Sequence, residues 1–266
     1  MSIQLKAGKV TQDKRLDRIV QFDERSRQYP IRHLIAATSA PRSYTWRCDV
    51  YLNQKSEGAC AGFAVTHEAA AKPVRVLGLT EQIARDVYHR AQDLDEWPGH
   101  DYEGTSVLGA MKAGKEKGWY EEYRWAFGID DLVLALGYKG PAVLGINWYE
   151  GMFETDSGGF IHPTGQLMGG HAIVAIGVSL TKQSVRLHNS WGIDWGVHGE
   201  CQILISDLKQ LLKEDGEAAI PVKRGLGTAT SSGAAGSRGT ADPPDSGSGN
   251  LPGASPGPPT NAPVAQ

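Results

Sequence analysis

Cys60 is the residue whose type and placement could make it a nucleophile. It lies in the stretch QKSEGACAGF, residues 54–63, and the alanine-rich run after it predicts a helix over 60–72 that Pro73 ends. The unpaired N–H groups and the dipole at such a helix start favour the thiolate, which is the reactive form of cysteine. By itself, a cysteine in an alanine-rich helix is more often an inert core residue. The chemistry therefore requires a base.

His171 is the histidine that best meets this requirement. It stands in GGHAIVAIG, residues 169–177, where two glycines leave an open approach and the apolar strand that follows gives rigid support. Most of the other histidines fit helix faces or polar, Pro- and Gly-rich surroundings. A further motif is HNSWGIDWGVHG, residues 188–199, where Asn189 ends one strand and two Trp-Gly pairs lead into the next.

The secondary-structure elements that must position these residues are predicted to be helices first and strands after them. Residues 83–94 carry an apolar stripe that predicts a second helix, and residues 106–117 predict a third. Short runs rich in Val and Ile predict strands at 142–146, 172–178, 184–188 and 200–205. This order predicts an α+β fold in which a helical half is followed by an antiparallel half.

Taken in chain order, these motifs resemble those of the papain-like (C1-type) cysteine peptidases. The matching residues are Gln54 six positions before Cys60, Gly170-His171-Ala172, Asn189-Ser190-Trp191-Gly192 with Trp195-Gly196 and Gly199, Trp46-Arg47, Glu103-Gly104-Thr105-Ser106, and Gly140-Pro141. The resemblance covers roughly residues 43–222 and is strongest to short bacterial or phage-type members. It implies a two-lobed fold with an active-site cleft between a helical lobe and an antiparallel β lobe.

The resemblance also implies a role for each catalytic residue. Cys60 attacks the peptide carbonyl, His171 holds and then donates the proton, and Asn189 orients the imidazole. Gln54 and the backbone N–H of Cys60 bind the negatively charged oxygen of the intermediate. The resting pair is expected to be thiolate and imidazolium.

The resulting functional prediction is a cysteine endopeptidase that hydrolyses a peptide or protein substrate through a thioester acyl-enzyme. The resemblance implies Gly104, Gly170 and Trp191 as substrate-binding residues. Gly104 admits the substrate backbone as an added strand, and Trp191 shields the contact between Asn189 and the His171 imidazole from water. Two alternatives stay open. One is a papain-like binding or assembly module without turnover, and the other is a peptide ligase or amidase that uses the same thiol chemistry. No cofactor and no metal are expected.

Charge and cysteine content restrict the partners and the compartment. The chain has 27 basic and 30 acidic side chains and a net charge of -3, which gives no basic field for nucleic acid. Three widely spaced cysteines predict neither a disulfide framework nor a cysteine zinc site. No stretch approaches the ~18 apolar residues of a membrane span, and the start lacks the apolar core of a signal peptide. We therefore expect a cytoplasmic protein that binds neither nucleic acid nor a membrane.

Composition divides the chain into three segments. Residues 1–40 form an N-terminal extension, which we expect to be a structural strap with a loose basic end that becomes ordered near residues 22–35. The competing hypothesis is an inhibitor that lies across Cys60. Residues 41–222 form the peptidase domain, with a helical lobe at about 41–130 and a β lobe at about 131–222. Residues 223–266, rich in Gly, Pro, Ser and Ala, predict a disordered tail that could attach to a partner.

Overall fold

Helices lie mostly in the first half of the chain and strands in the second, in a computed structural model that describes residues 13–99 and 102–222. Within these ranges the helices are α1 (Cys60–Ala70), α2 (Glu81–Leu94), α3 (Val107–Glu116), α4 (Ile129–Tyr138) and α5 (Ile205–Lys213). The strands are β1 (Arg18–Ile19), β2 (Tyr44–Thr45), β3 (Thr105–Ser106), β4 (Glu122–Trp125), β5 (Ala142–Tyr149), β6 (Leu167–Ser179), β7 (Ser184–His188), β8 (Glu200–Leu204) and β9 (Glu217–Val222). Short 3₁₀ helices occur at Glu24–Gln28, Ile31–Leu34 and Glu150–Met152.

The central helix of the first half is α1, in which every residue is buried. Gly62 lets α2 approach closely, because a Cβ at this position would lie 2.6 Å from the carbonyl oxygen of Ala84. Thr80 and Ser106 cap α2 and α3 by accepting hydrogen bonds from backbone N–H groups. The apolar faces of α2 and α3 pack against α1 and against each other, so the start of α1 is held from two sides.

In the described part of the chain, a seven-stranded sheet forms most of the second half. Its strands lie in the order β4-β9-β5-β6-β7-β8 with antiparallel neighbours, and β2 pairs with β6 beside this path. Side chains of β6 alternate between two cores. Ile173 and Ala175 belong to the core that includes α4 and α5, whereas Ala172, Val174 and Ile176 belong to the core that includes α1 and α3. The sheet therefore lies between two layers of helices.

The described part of the N-terminal extension packs against both halves. β1 pairs in parallel with β3, and Pro30 forms an isolated parallel bridge with Trp125 of β4. Leu16 and Ile31 are buried in the core that α4 helps to form. Burial of these two side chains anchors the extension to the sheet at points on either side of β1.

The observed elements confirm the predicted α+β fold. All three predicted helices and all four predicted strands occur, with ends shifted by at most a few residues on most elements. The later half does not consist of strands alone, because α4 and α5 pack on the sheet, and β4 and β9 were not predicted either. The segment boundaries near residues 40, 130 and 222 stay predictions. The predicted tail, residues 223–266, lies outside the described residues, as does the predicted loose basic end up to residue 12.

Candidate active site

The predicted nucleophile, Cys60, is the first residue of α1. Its N-cap neighbour Ala59 offers no side-chain hydrogen bond, so the first N–H groups of the helix remain without a side-chain cap. The Cys60 side chain therefore lies at the positive end of the helix dipole, as the sequence predicts. The residue is only 1% exposed.

His171 and Asn189, which are 18 positions apart in the sequence, are brought together by the pairing of β6 with β7. His171 lies within β6, and Asn189 directly follows β7. The ring Nε2 lies 2.8 Å from Asn189 Oδ1, an oxygen that also accepts a hydrogen bond from Ser190 N at 2.8 Å. Because a carbonyl oxygen only accepts, His171 Nε2 carries the proton, and in the neutral ring Nδ1 is left with a free lone pair.

Gln54 is oriented by Ser190, which belongs to the Asn189-Ser190-Trp191-Gly192 motif but had no predicted role. Ser190 Oγ donates a hydrogen bond to Gln54 Oε1 at 2.6 Å. The amide nitrogen of Gln54 is thereby directed to two backbone carbonyls, those of Glu57 at 2.7 Å and Arg15 at 3.3 Å. The Gln54 amide can thus donate to a carbonyl oxygen in the cleft, which is the geometry expected of an oxyanion-binding group.

Aromatic rings enclose the His171 imidazole on two sides. The ring centroid of Trp148 lies 4.7 Å from that of His171, and the centroid of Trp191 lies 5.0 Å away. Phe153 stacks on Trp191, and Trp195 meets it edge to face. Trp191 was predicted from its motif, whereas Trp148 and Phe153 were not, because Trp148 reaches the site by strand pairing and Phe153 by the turn after the 3₁₀ helix Glu150–Met152.

The N-terminal extension covers this site. Asp17 forms a parallel bridge with Gly170, and β1 continues the segment alongside β3. A Cβ at Gly170 would lie 2.5 Å from the carbonyl oxygen of Arg18, and Cβ atoms at Gly58 and Gly104 would overlap Asp17. Gly104 has a φ of +87°, which also favours glycine. The two glycines predicted to bind substrate thus lie against an extended backbone, but this backbone belongs to the chain itself.

We define residues 13–19 as the covering segment. Arg15 reaches over the site, with its guanidinium carbon 4.2 Å from the ring centroid of Trp191. The expectation that order in the extension starts near residue 22 is therefore wrong, since the residues closest to Cys60 precede it and Phe22 is exposed. The location of the covering segment agrees with the competing hypothesis of an inhibitor across Cys60, because Gly104 and Gly170 give its backbone room and the Asp17 backbone reaches the Cys60 thiol.

Burial of the covered site disfavours charge on both members of the candidate catalytic pair. Burial raises the pKa of the Cys60 thiol to about 12, although hydrogen bonds from backbone groups of Ala172 and Asp17 oppose this effect. Burial also lowers the pKa of His171 to about 4, against the hydrogen bonds to Asn189 and to the Arg15 backbone. No hydrogen bond joins Cys60 to His171 in the described ranges. Both shifts favour the neutral thiol and the neutral imidazole over the implied thiolate–imidazolium pair, because burial penalises the charged forms.

No group of side chains suited to hold a metal ion occurs among the described residues. In the same part of the chain, no helix has the length and apolar character needed to cross a membrane. Cys48, Cys60 and Cys201 are all buried free thiols.

The chain is similar to known cysteine peptidases in both sequence and structure, although no protein-family model matches it. It is 34% identical to the cathepsin B-like cysteine proteinase 6 of Caenorhabditis elegans over 85 residues, which cover 30% of this chain and 22% of that protein. The match thus spans about a fifth of the length of that relative.

Two solved structures superpose on most of the chain. Xylellain, a cysteine protease from Xylella fastidiosa, aligns with a TM-score of 0.59 at 15% identity, covering 82% of this chain and all of that one. Digestive procathepsin L 3 of Tenebrio molitor larval midgut aligns with a TM-score of 0.51 at 14% identity, covering 80% of this chain and 75% of that one. These comparisons confirm the papain-like fold and the predicted resemblance to papain-like cysteine peptidases.

Proposed function

We propose that this papain-like chain is a cysteine endopeptidase with Cys60 as nucleophile, His171 as general acid and base, and Asn189 as the residue that orients the imidazole. The observation that carries the proposal is the 2.8 Å contact between His171 Nε2 and Asn189 Oδ1. This contact favours the His171 tautomer in which Nδ1 can take a proton. The next residue on the strand, Ala172, contacts the Cys60 thiol through its backbone.

Each proton in the proposed reaction has a donor and an acceptor on the site. His171 Nδ1 takes the thiol proton as the Cys60 sulfur bonds to the substrate carbonyl carbon, and the resulting oxyanion accepts hydrogen bonds from Gln54 Nε2 and the Cys60 backbone N–H. The C–N bond then breaks, His171 gives its proton to the leaving amine, and a thioester remains. Water, deprotonated by His171, attacks the thioester and releases the carboxylic acid and the thiol.

The covering segment has to leave before a substrate can bind. Its backbone lies against Gly104 and Gly170, two of the residues predicted to bind substrate. Displacement returns water to Cys60 and His171, which lowers the thiol pKa and raises the imidazole pKa toward their usual values. We infer that the chain is self-inhibited in the described conformation.

Intact-mass analysis with a peptide vinyl sulfone, combined with turnover of a fluorogenic peptide library, tests this function on the full chain. We expect one adduct on the wild type and no adduct on Cys60→Ser. Labelling should be more rapid in Arg18→Ala, because this variant loses the hydrogen bonds that the buried Arg18 side chain donates to the carbonyls of Gly145 and Asp215 and that hold the cover in place. Cys201→Ser is the matched control, because it removes another buried thiol, and it should be labelled like the wild type.

The library separates the proposal from its alternatives. Peptide hydrolysis by the wild type or Arg18→Ala, lost in Cys60→Ala and in His171→Ala, supports an endopeptidase. If the acyl group is transferred to an added amine more often than to water, the protein is instead a ligase. A folded Arg18→Ala protein that neither reacts at Cys60 nor cleaves any peptide would overturn the proposal and favour a binding module.

A further inference from the structure

Two short segments carry the Gln54 and Asn189 side chains of the candidate site. We define residues 50–54 and 188–192 as the paired segments, because they run antiparallel where they meet. The backbone N–H of Gln54 donates a hydrogen bond to the carbonyl of Ser190 at 2.9 Å. The position of the amide that binds the oxyanion, relative to the residue that orients the imidazole, therefore depends on how the paired segments are held together.

The side chain of His188 joins the same two segments a second time. Its Nε2 lies 2.9 Å from the carbonyl oxygen of Val50, and its Nδ1 lies 3.3 Å from Oε1 of Glu200, the residue opposite it on β8. The other carboxylate oxygen of Glu200 accepts a hydrogen bond from Arg186. A carbonyl and a carboxylate only accept hydrogen bonds, so both ring nitrogens of His188 carry a proton and the ring is an imidazolium.

The surroundings of His188 maintain this charge in the protein interior. The His188 side chain is 0% exposed, and that of Glu200 is 8% exposed. Burial lowers the pKa of His188, but interactions with Cys48 and Glu200 outweigh this effect and raise the pKa from its ordinary 6.5 to about 9. The rings of Tyr51 and His67 pack on the imidazole, at centroid distances of 5.0 and 4.5 Å. The charged form is therefore complete below pH ~6.5 and is lost as the pH rises through 9.

His67 holds the same segment from the helical half. Its Nε2 accepts a hydrogen bond from the backbone N–H of Leu52 at 2.9 Å, so this nitrogen carries no proton. Burial and the nearby charge of His188 hold the pKa of His67 well below its usual range. Residues 50–54 are thus held by a neutral histidine on α1 and by a charged one at the end of β7.

We propose that His188 is a positioning residue of the peptidase site, in which its imidazolium ties the segment that carries Gln54 to the strand that leads into Asn189. It acts through these two residues. A neutral ring has one N–H for two acceptors, so loss of the proton releases either the Val50 carbonyl or the Glu200 carboxylate. The inference rests on the proposed peptidase function and adds a residue outside the catalytic set.

Steady-state kinetics of the full-length Arg18→Ala protein test this role. Adding His188→Gln puts one neutral amide in place of two ring donors, and kcat should fall about 10- to 100-fold while KM changes less than about 3-fold, because misplaced groups mainly affect the transition state. Adding Glu200→Gln keeps a hydrogen-bonding side chain and should cost less kcat than His188→Gln. His33→Gln, at an exposed position, is the matched control and should change neither constant.

Solvent exchange of a ring proton tests the tie without turnover, in the full chain with its natural Arg18. The proton on His171 Nε2 is held by Asn189, and NMR of protein with ¹⁵N-labelled histidine follows its exchange. At pH 8 this proton should exchange at least about 10-fold faster in His188→Gln than in the wild type, whereas backbone amides of β6 should change less. The same spectra should show both nitrogens of wild-type His188 protonated at pH 7.

The outcomes separate the two proposals. An unchanged kcat in a folded His188→Gln protein, a loss confined to KM, or exchange that rises equally at the ring proton and in β6 overturns the positioning role while the peptidase function stands. A neutral His188 at pH 7 overturns the tie as an imidazolium. If no peptide is cleaved, the peptidase function fails and the exchange measurement decides the tie. If His188→Gln fails to fold, Glu200→Gln replaces it in both experiments.

Discussion

The affinity of the covering segment for the cleft should depend on pH through Asp17. Burial against the cleft raises the pKa of this carboxyl to about 6, with further upward contributions from Glu103 and Asp13 and a downward one from Lys14. In the released segment the carboxyl faces water, where its pKa is about 3.9. Since the docked pKa is the higher one, docking is favoured most below pH ~4, and this advantage is lost as the pH rises through 6.

The size of the effect follows from the two pKa values. The two pKa values differ by about 2, which corresponds to a loss of docking free energy of at most ~3 kcal/mol above pH 6. Because the Asp17 side chain is only partly buried, we expect the loss to be ~1–3 kcal/mol. Asp17→Asn mimics the protonated acid and removes this penalty. At pH 7.5 the uncovered fraction of the variant should therefore be about 10- to 100-fold smaller than that of the wild type.

Alkylation of Cys60 by iodoacetamide in the full chain measures the uncovered fraction. The ratio of the variant rate to the wild-type rate cancels the intrinsic pH dependence of the thiol, and we expect it to be ~0.01–0.1 at pH 7.5 and to approach one near pH 4. Asp86→Asn, on the exposed face of α2, is the matched control and should give a ratio of one throughout. A ratio that does not change with pH, or a variant that reacts faster than the wild type at pH 7.5, would refute the reasoning.

Three further results are expected. Gly170→Ala places a methyl group 2.5 Å from the backbone of the covering segment, so iodoacetamide should alkylate Cys60 faster, whereas peptide cleavage should fall because the same methyl group obstructs the substrate. Gly140→Ala is the control and should change neither rate, because its Cβ would have an ordinary 3.6 Å contact. Ser190→Ala frees the Gln54 amide to rotate and should lower kcat about 10-fold with little change in KM, as measured by steady-state kinetics, and an unchanged kcat would contradict an orienting role. Asn189→Ala should retain measurable turnover, since Asn189 orients the base without being the base, and complete loss in a folded protein would require another role.

The elements that carry the motifs could be predicted from the sequence because their signals are local. The apolar stripe of α2 and the Val- and Ile-rich runs of β6 and β7 can each be recognised from a few consecutive residues. α5 also has an amphipathic pattern, at Ile205, Leu208 and Leu211, and this signal was present but overlooked. α4 is different, because it is apolar on nearly all sides, and periodicity does not separate such a helix from a buried strand.

The composition of the site was predictable, but its surroundings were not. Cys60, His171 and Asn189 follow from motifs, and the structure places the last two in contact. The wall formed by Trp148 and Phe153 depends on the register of β5 and on the short 3₁₀ helix that follows it, neither of which a single sequence reveals. The cover was misjudged because its contacts join residues more than 80 positions apart, and because its basic composition suggested a solvated surface segment.

The burial of the Arg18 side chain ties the covering segment to the interior of the sheet. Its Nη2 lies 3.2 Å from Oε1 of Glu217 on β9 and donates hydrogen bonds to the carbonyls of Gly145 at 2.9 Å and Asp215 at 2.6 Å. A methyl group at position 145 would lie 2.5 Å from Arg18 Nε and is therefore expected to loosen the cover without contacting Cys60 or His171. Because a buried charge is costly without its partner, positions 18 and 217 would have to change together as the covering segment diverges.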